Sequence, residues 1–342
     1  MPNLCKMDIK HIVLAMMAAG ALLLTGCKDD EDTKPSLSGE VPTPSIPPYV
    51  LKGDTYHIVA TGVYRGSNPA DSLVGFYVFD PILSVNDTLR REKESGPAEM
   101  DYVVPDGDRT TYTLSVFAFA KGYYGKGSSV TFSLVNPSLD TLVGSLSGHH
   151  LGYEANTSFD DARDGQKYYV SSLSPGGWML QNLAWEGAGV PFADAVAMNY
   201  VAGRFYTYEE ALTACPAGWR LPSDADFVAL TGAGAVGETI PGKAGLLKGD
   251  IWFNGEQLWE YQNSRILLTN EDYFSAMPWG YLTVSAGTHR FMCSGERAVF
   301  WTSDAVDAET ALVRYLNLDS NDIFVQAMDR KSFGASVRCV KE

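Results

Sequence analysis

Short alternating runs of apolar and polar residues dominate positions 49–137. The runs are rich in β-branched and aromatic residues, and Gly, Pro, Asn and Asp cluster between them, as is typical of strands joined by turns. No helical period appears in this stretch. We therefore expect an antiparallel β-sandwich over residues 49–137. The predicted strands lie in TYHIVATGVY, VGFYVFDPI, AEMDYVV, TYTLSVFAFA and SSVTFSLV, with turns in GSNPADS, SVND, PDGD and GYYGKGS.

Helical spacing appears in two short segments of the second half. In residues 206–215, Thr207 can cap a helix, and Glu209 and Glu210 favour its N-terminal end. Pro216 would end this helix. Its apolar face is predicted to contain Ala211, Leu212 and Cys215.

A second helix is predicted directly after Pro222. Ser223 is placed to cap it, and Asp226 can act as the acid of a capping box. Strand-like runs follow this helix, so the sequence predicts an α+β domain over residues 159–342. The apolar side chains of the second helix are Phe227, Val228 and Leu230.

The chain begins with a basic segment and an unbroken apolar run at residues 12–24. A membrane span needs about 20 apolar residues, so residues 1–26 are predicted to be a signal peptide. The run ends in LLTGC, which resembles the processing site of bacterial lipoproteins and implies that Cys27 is acylated. The following KDDED resembles the acidic export tag of lipoproteins of the Bacteroides phylum. We expect a protein lipid-anchored in the outer membrane and exposed at the cell surface; the alternative is an ordinary secretory signal.

Two further segments lack the apolar content of a folded domain. Residues 27–48 are charged and then rich in Pro, Ser and Thr, which predicts a flexible stalk. Residues 138–158 predict a less ordered linker between the two domains.

The acidic composition narrows the choice of partners. The chain has 26 Lys and Arg against 41 Asp and Glu, a formal net charge of −15. Nucleic acid is not expected as a partner, because binding to its phosphates depends on clustered basic residues. Neutral ligands fit this composition better than polyanions.

The second half of the chain also holds all seven tryptophans. Such a concentration indicates either an aromatic core or an aromatic ligand surface. Six motifs in this half, in their order, resemble the Fibrobacter succinogenes major paralogous domain over residues 159–342. The motifs are DARDGQKY (161–168), GGWMLQNLAW (176–185), GRFYTYEEALTACPAGWRLPSDADF (203–227), YFSAMPWGYL (273–282), AVFWTSD (298–304) and FGASVRCVK (333–341).

This resemblance implies a C-type lectin-like plan, with two early helices and a last strand that returns beside the first. It therefore implies a disulfide between Cys215 and Cys339, which leaves Cys293 as a buried, unpaired thiol. In the first domain, YTLSVFAFAKGYYGKGSSVTF resembles the immunoglobulin-like modules of Bacteroides surface lipoproteins. The expected architecture is an all-β immunoglobulin-like sandwich followed by an α+β C-type lectin-like domain.

Motifs for catalysis and metal binding are missing from the sequence. It contains no GxSxG, HExxH or P-loop, so we do not expect an enzyme. The nearest oxygen-rich run is NLDSND, residues 317–322, which lacks the Gly and terminal Glu of an EF-hand and is interpreted as a polar turn. No cofactor is expected, and calcium is the one ion that a lectin-like plan brings into consideration.

The most site-like segment is NGEQLWEYQNSR, where the family pattern lapses. An indole can stack on the apolar face of a sugar ring while amides and carboxylates bond its hydroxyls. We therefore expect non-catalytic glycan binding by the second domain; the alternative is a protein-binding adhesin, a pilus tip or an accessory subunit of a surface complex. The ligand candidates are Trp259, Glu260, Tyr261, Gln262 and Asn263, with Trp185 and Trp279 weaker; Trp178, Trp219, Trp252 and Trp301 are expected in the core.

Overall fold

Strands dominate the computed structural model, and helices are few. The part of the chain that the structure describes forms two compact units, one ending at Val135 and the other spanning Asn136–Glu342. Within it, no helix is both long and apolar enough to cross a membrane. The predicted signal peptide and Cys27 lie outside the described residues. The residues that the structure describes are 37–39, 43–61, 64–66, 75–80, 85–90, 98–120, 123–138, 144–148, 151, 157–171, 177–260 and 265–342.

The described residues of the first unit form ten strands. A five-stranded sheet has the order β3-β10-β9-β6-β7, a three-stranded sheet has the order β2-β4-β8, and β1 pairs with β5. The strands are β1 (Leu37–Gly39), β2 (Thr43–Ser45), β3 (Tyr49–Leu51), β4 (Thr55–Thr61), β5 (Tyr64–Gly66), β6 (Gly75–Asp80), β7 (Val85–Arg90), β8 (Ala98–Val103), β9 (Thr111–Ala120) and β10 (Tyr123–Val135).

The larger two sheets of this unit share one core. Alternate residues of each strand point inward, so Ile58 of β4 and Tyr102 of β8 join residues of the five-stranded sheet in one buried cluster. At its centre the rings of Tyr112 and Phe132 stack with 6.1 Å between their centroids. The first half is therefore β-rich, as its alternating pattern predicts.

Three details of the first unit differ from the sequence-based expectation. Strand β7 covers residues predicted as the SVND turn, and β10 runs through the glycine-rich stretch predicted as a turn. Pairing with β6 and β9 outweighs the turn propensity of these residues, and an irregularity between Tyr124 and Gly127 lets β10 continue. Strands β1 and β2 lie inside the predicted stalk, where β2 occupies a sheet edge that tolerates Pro44.

Fifteen strands of the described residues belong to the second unit. They are β11 (Leu146–Gly148), β12 (Thr157–Asp160), β13 (Lys167–Val170), β14 (Val190–Pro191), β15 (Arg204–Tyr206), β16 (Trp219–Arg220), β17 (Ile251–Phe253), β18 (Glu256–Gln257), β19 (Tyr281–Ser285), β20 (Thr288–Met292), β21 (Arg297–Ala305), β22 (Thr310–Asn317), β23 (Ile323–Asp329), β24 (Phe333–Ser336) and β25 (Val340–Lys341). Strand β11 lies within the predicted linker and pairs with β17, so ordered structure begins earlier than expected.

The framework of this unit is an eight-stranded sheet with cores on both faces. Its main path is β14-β15-β24-β21-β22-β23, and β19 joins through β24 and carries β20. Trp301 of β21 faces one core, where its indole N–H donates to the carbonyl of Tyr206 at 2.7 Å. Phe300, one residue earlier, faces the other core beside Trp178 and Phe227. Trp178 and Trp301 are fully buried, as expected, and Trp219 is half-buried against Phe159.

The helices are α1 (Tyr208–Ala214), α2 (Asp224–Thr231) and α3 (Ala244–Leu247), with two 3₁₀ turns at Phe192–Asp194 and Val196–Tyr200. Both predicted helix starts are confirmed, because Thr207 and Ser223 each form a capping box with the acid three residues later. The apolar face predicted for α1 is partly wrong. Leu212 is 43% exposed, and Tyr208 and Ala214 are buried with Ala211 instead.

The last strand of the chain lies beside its early segment. Met179 and Leu183 donate their N–H groups to the carbonyls of Cys339 and Val337, and Cys215 is joined to Cys339 as expected, with 5.9 Å between the Cα atoms. Cys293 is buried and is itself disulfide-bonded, so the expectation of an unpaired thiol is wrong.

Candidate functional site

Trp259, the leading ligand candidate, is a core residue. Its side chain has no solvent exposure, and its indole N–H donates to the carbonyl of Ala276 at 2.7 Å. The ammonium group of Lys248 lies 4.7 Å from the centre of its ring. A ligand cannot stack on an indole enclosed in this way, so the expectation for Trp259 is corrected to a packing role.

The weaker aromatic candidates are also mostly enclosed. Trp279 is 5% exposed and packs against Phe192 and Phe253. Trp185 is half-buried, and the guanidinium group of Arg163 covers its ring at 4.2 Å. Glu260 is exposed. The remaining candidates, Tyr261, Gln262 and Asn263, lie outside the described residues.

Trp252 is the exposed tryptophan of this segment, in contrast to its expected place in the core. Its side chain is 39% exposed. It is the middle residue of β17, the central strand of the sheet β11-β17-β18. Because side chains alternate along a strand, its neighbours Ile251 and Phe253 point inward and are buried, and Trp252 faces solvent.

The strand register builds a flat polar face around this indole. Ser147 of β11 and Gln257 of β18 lie directly opposite Trp252, one on each side, so their side chains share its face. Asp250 joins them, because one of its carboxylate oxygens accepts from the indole N–H at 3.1 Å and from the Gln257 amide at 2.7 Å. We call Ser147, Asp250, Trp252 and Gln257 the Trp252 platform.

Two features hold the hairpin of the platform in place. Asn254 and Gly255 form its two-residue turn with φ angles of 51° and 85°, the left-handed conformation that type I′ hairpins need. On the other side, β11 approaches so closely that a Cβ atom on Gly148 would lie 2.3 Å from the carbonyl oxygen of Asp250. The indole is therefore presented by a rigid scaffold.

Lys248 anchors the base of this hairpin. Its side chain is fully buried, and its ammonium group donates to the carbonyls of Asn317 and Ser320 while facing the Trp259 ring. Lys248 itself precedes β17, Trp259 follows β18, and the two carbonyls belong to the turn between β22 and β23. One side chain thus connects both ends of the hairpin to this turn. Burial lowers the pKa of Lys248 to about 8, against the opposing effect of the Asp319 charge.

The predicted polar turn NLDSND is therefore organised around Lys248. Asn321 also bonds the backbone of Arg265 and Leu267, and Asp322 accepts from the N–H of Gly242. No cluster of three metal-ligating side chains occurs among the residues that the structure describes. Main-chain carbonyls of this turn thus accept from the Lys248 ammonium group, and the side-chain oxygens of Asn321 and Asp322 accept from backbone N–H groups.

The platform has the chemistry of a sugar-binding face. An indole face can stack on the C–H side of a pyranose ring, while an amide and a carboxylate at its edge bond hydroxyl groups. The second oxygen of the Asp250 carboxylate has no protein donor among the described residues, which leaves it for a ligand hydroxyl. Glu256 and Glu260 are exposed in the same segment, so its charge disfavours anionic ligands.

Local sequence signals for the platform exist. The dipeptide Asn-Gly between two strand-like runs is a strong hairpin signal. In the strand IWF, Ile251 and Phe253 point inward, so the side chain between them, Trp252, must point outward. Sequence reasoning placed Trp252 in the core because it followed a family-like spacing. The pairing of β17 with the distant β11, which completes the face, has no local signal.

A family model described as the Fibrobacter succinogenes major domain matches residues 150–341, more than half of the chain. No curated protein and no solved structure matches the chain.

Proposed function

The chain belongs to the Fibrobacter succinogenes major domain family, and on that premise we propose that its second unit binds carbohydrate without catalysis. The ligand is a neutral glycan, and the Trp252 platform is the contact surface. We also propose that the unit has a C-type lectin-like plan. The return of residues 337–340 to residues 178–183 and the disulfide between Cys215 and Cys339 support that plan.

The observation on which this proposal rests is the position of Trp252. The outward face of a solvent-facing sheet ordinarily carries polar side chains, and here a Trp with 39% exposure stands in a polar row. The hydrogen bond from its indole N–H to Asp250 restrains the ring, which lowers the ordering cost when a ligand stacks. A role in packing would instead have required this indole to be covered.

The location of the protein at the cell surface is part of the same proposal. The residues before the first unit carry the lipoprotein-like LLTGC sequence, which supports acylation at Cys27 and attachment to the outer membrane. The first unit would serve as an immunoglobulin-like spacer between the lipid anchor and the binding domain. A surface glycan-binding protein of this kind meets its ligand outside the cell.

Affinity electrophoresis of the purified protein tests the binding proposal. Native gels would contain hydroxyethylcellulose, xylan, mannan, laminarin or dextran as neutral polysaccharides, and polygalacturonate as an anionic one. We expect retardation in at least one neutral gel and none in polygalacturonate. Trp252→Ala should lower the apparent affinity measured from the retardation by at least tenfold, because the stacking surface is removed.

Leu212→Ala is the matched control, since Leu212 has a similar exposure of 43% and lies on α1. It should bind like the unmodified chain. Unchanged retardation of Trp252→Ala would remove the platform from the proposal. Absence of retardation by every polysaccharide, together with co-purification of other surface proteins, would favour the protein-binding alternative. Release of reducing sugar would contradict the non-catalytic role.

A further inference from the structure

A concave surface on the same unit is lined by residues that do not belong to the platform. It is an open groove of about 420 Å³, a volume in the range of ligand sites. Two tyrosines contribute to its walls, and Tyr200 is 37% exposed. The lining residues are Pro137, Asp164, Gly165, Gln166, Lys167, Tyr169, Gln181 and Tyr200.

One wall of the groove is the turn between β12 and β13, which contains the DARDGQKY motif. Asp161 holds this turn from within: it is 1% exposed, and its carboxylate accepts from the backbone and guanidinium N–H groups of Arg163. The carbonyl of Asp161 accepts from Gly165, and the carboxylate of Asp164 accepts from the N–H of Gln166. The wall is therefore fixed before any ligand arrives.

The other polar groups of the groove are oriented as well. Gln181 accepts the N–H of Tyr169 at 2.8 Å through its side-chain oxygen, which fixes the direction of its amide nitrogen. Within the described residues this amide nitrogen has no protein acceptor. Tyr200 is the last residue of a 3₁₀ turn. Asn199, directly before it, is buried and donates to Glu186, so the backbone that carries the Tyr200 ring is anchored.

The charges of the groove argue against an anionic ligand. Among the described residues of its lining the one cationic side chain is Lys167, whose ammonium group lies 2.9 Å from the carboxylate of Asp160. Asp164 adds a negative charge. Recognition of phosphate or uronate ordinarily uses guanidinium groups or free ammonium groups, and the described lining residues supply neither.

A bound peptide strand is also disfavoured. Strand addition requires free main-chain groups at a sheet edge. At Tyr169 both groups are occupied, because its N–H donates to Gln181 and its carbonyl accepts from the N–H of Leu180 at 2.8 Å. What the groove does offer is two phenol rings, two amides and a carboxylate, which suit the hydroxyl groups and ring faces of a sugar.

We propose that this groove is a second carbohydrate subsite, which binds a neutral oligosaccharide segment through Tyr200, Tyr169 and Gln181. The choice of carbohydrate rests on the proposed function, and the site itself rests on the groove. The protein therefore holds two separate surfaces for one class of ligand, and a long glycan gains affinity from engaging both.

Equilibrium dialysis with a labelled trisaccharide of the retarding neutral polysaccharide tests the proposal. The unmodified chain should bind two molecules of trisaccharide, and Tyr200→Ala should bind one, because the groove loses its exposed ring. Apparent affinity for the polymer should fall by about tenfold to a hundredfold in this variant. Tyr200→Phe, which keeps the ring, should retain both molecules.

Val196→Ala is the control, because Val196 is 54% exposed on the same 3₁₀ turn and does not line the groove. If Tyr200→Ala still binds two molecules, the subsite is overturned and the platform stands. The same conclusion follows if the unmodified chain binds one molecule and only Trp252→Ala removes it. One bound molecule that only Tyr200→Ala removes would uphold the groove and overturn the platform. No binding by the unmodified chain would overturn both.

Discussion

At the scale of single residues, burial of Lys248 should make the stability of the protein depend on pH. Its pKa in the folded chain is about 8, against an ordinary value of 10.5, because burial disfavours the charged form. Between these two values the unfolded chain binds more protons than the folded chain. The free energy of unfolding should therefore rise with pH across this window, by up to about 3 kcal/mol.

Urea denaturation at pH 7.5 and pH 10 would measure this rise. Tryptophan fluorescence suits the purpose, because all seven tryptophans belong to the second unit. Lys248→Met keeps the length of the side chain without an ionisable group. The free energy of unfolding of this variant should therefore rise less between pH 7.5 and pH 10. If the two chains change in parallel between the two pH values, the proposed ionisation of Lys248 is wrong.

Residue identity alone could not separate the tryptophans by role. Trp252 and Trp259 lie only seven positions apart, yet one is exposed and the other is enclosed. The difference comes from tertiary contacts: Ala276 accepts from the Trp259 indole N–H, and Lys248, which is bonded to the turn at 317–320, faces its ring. Burial set by such long-range contacts has no local signature in the sequence.

At the scale of elements, the N-terminus of α2 offers a direct test of local chemistry. The Ser223 hydroxyl accepts from the N–H of Asp226, and the Asp226 carboxylate accepts from the N–H of Ser223 at 2.6 Å. Ser223→Ala should lower the free energy of unfolding by about 1 kcal/mol, since helix N–H groups lose their acceptor. Ser223→Asp keeps an acceptor and should lose much less; equal losses in urea denaturation would show that the cap is not the cause.

Elements fixed by local chemistry were predictable, and elements fixed by pairing were not. Both capped helices begin where their Ser or Thr predicts, because a capping box involves only four consecutive residues. Strand β7 carries turn signals in Asn86 and Asp87, and only its pairing with β6 makes these residues extended. The Trp252 platform was missed for the same reason, since its face is completed by β11 from more than 100 positions earlier.

At the scale of the whole molecule, we propose that a lipid anchor at Cys27 determines where binding takes place. Cys27→Ser should move the protein from the membrane fraction to the soluble fraction, because the acyl chains that hold it are lost. Fractionation followed by immunoblotting measures this, and external protease should digest the unmodified protein on intact cells. Cys27→Ser that stays with the membrane, or a protein resistant to external protease, would contradict the surface location.

The most direct test of the central claim is the NMR signal of the Trp252 indole N–H in ¹⁵N-labelled protein. The resonance is assigned as the one lost in Trp252→Phe, and a soluble hexasaccharide of the retarding neutral polysaccharide is then added. The account predicts that the Trp252 signal shifts in a saturable way, while the signals of the enclosed Trp259 and Trp301 stay in place. A Trp252 signal that does not move while the hexasaccharide binds would contradict it.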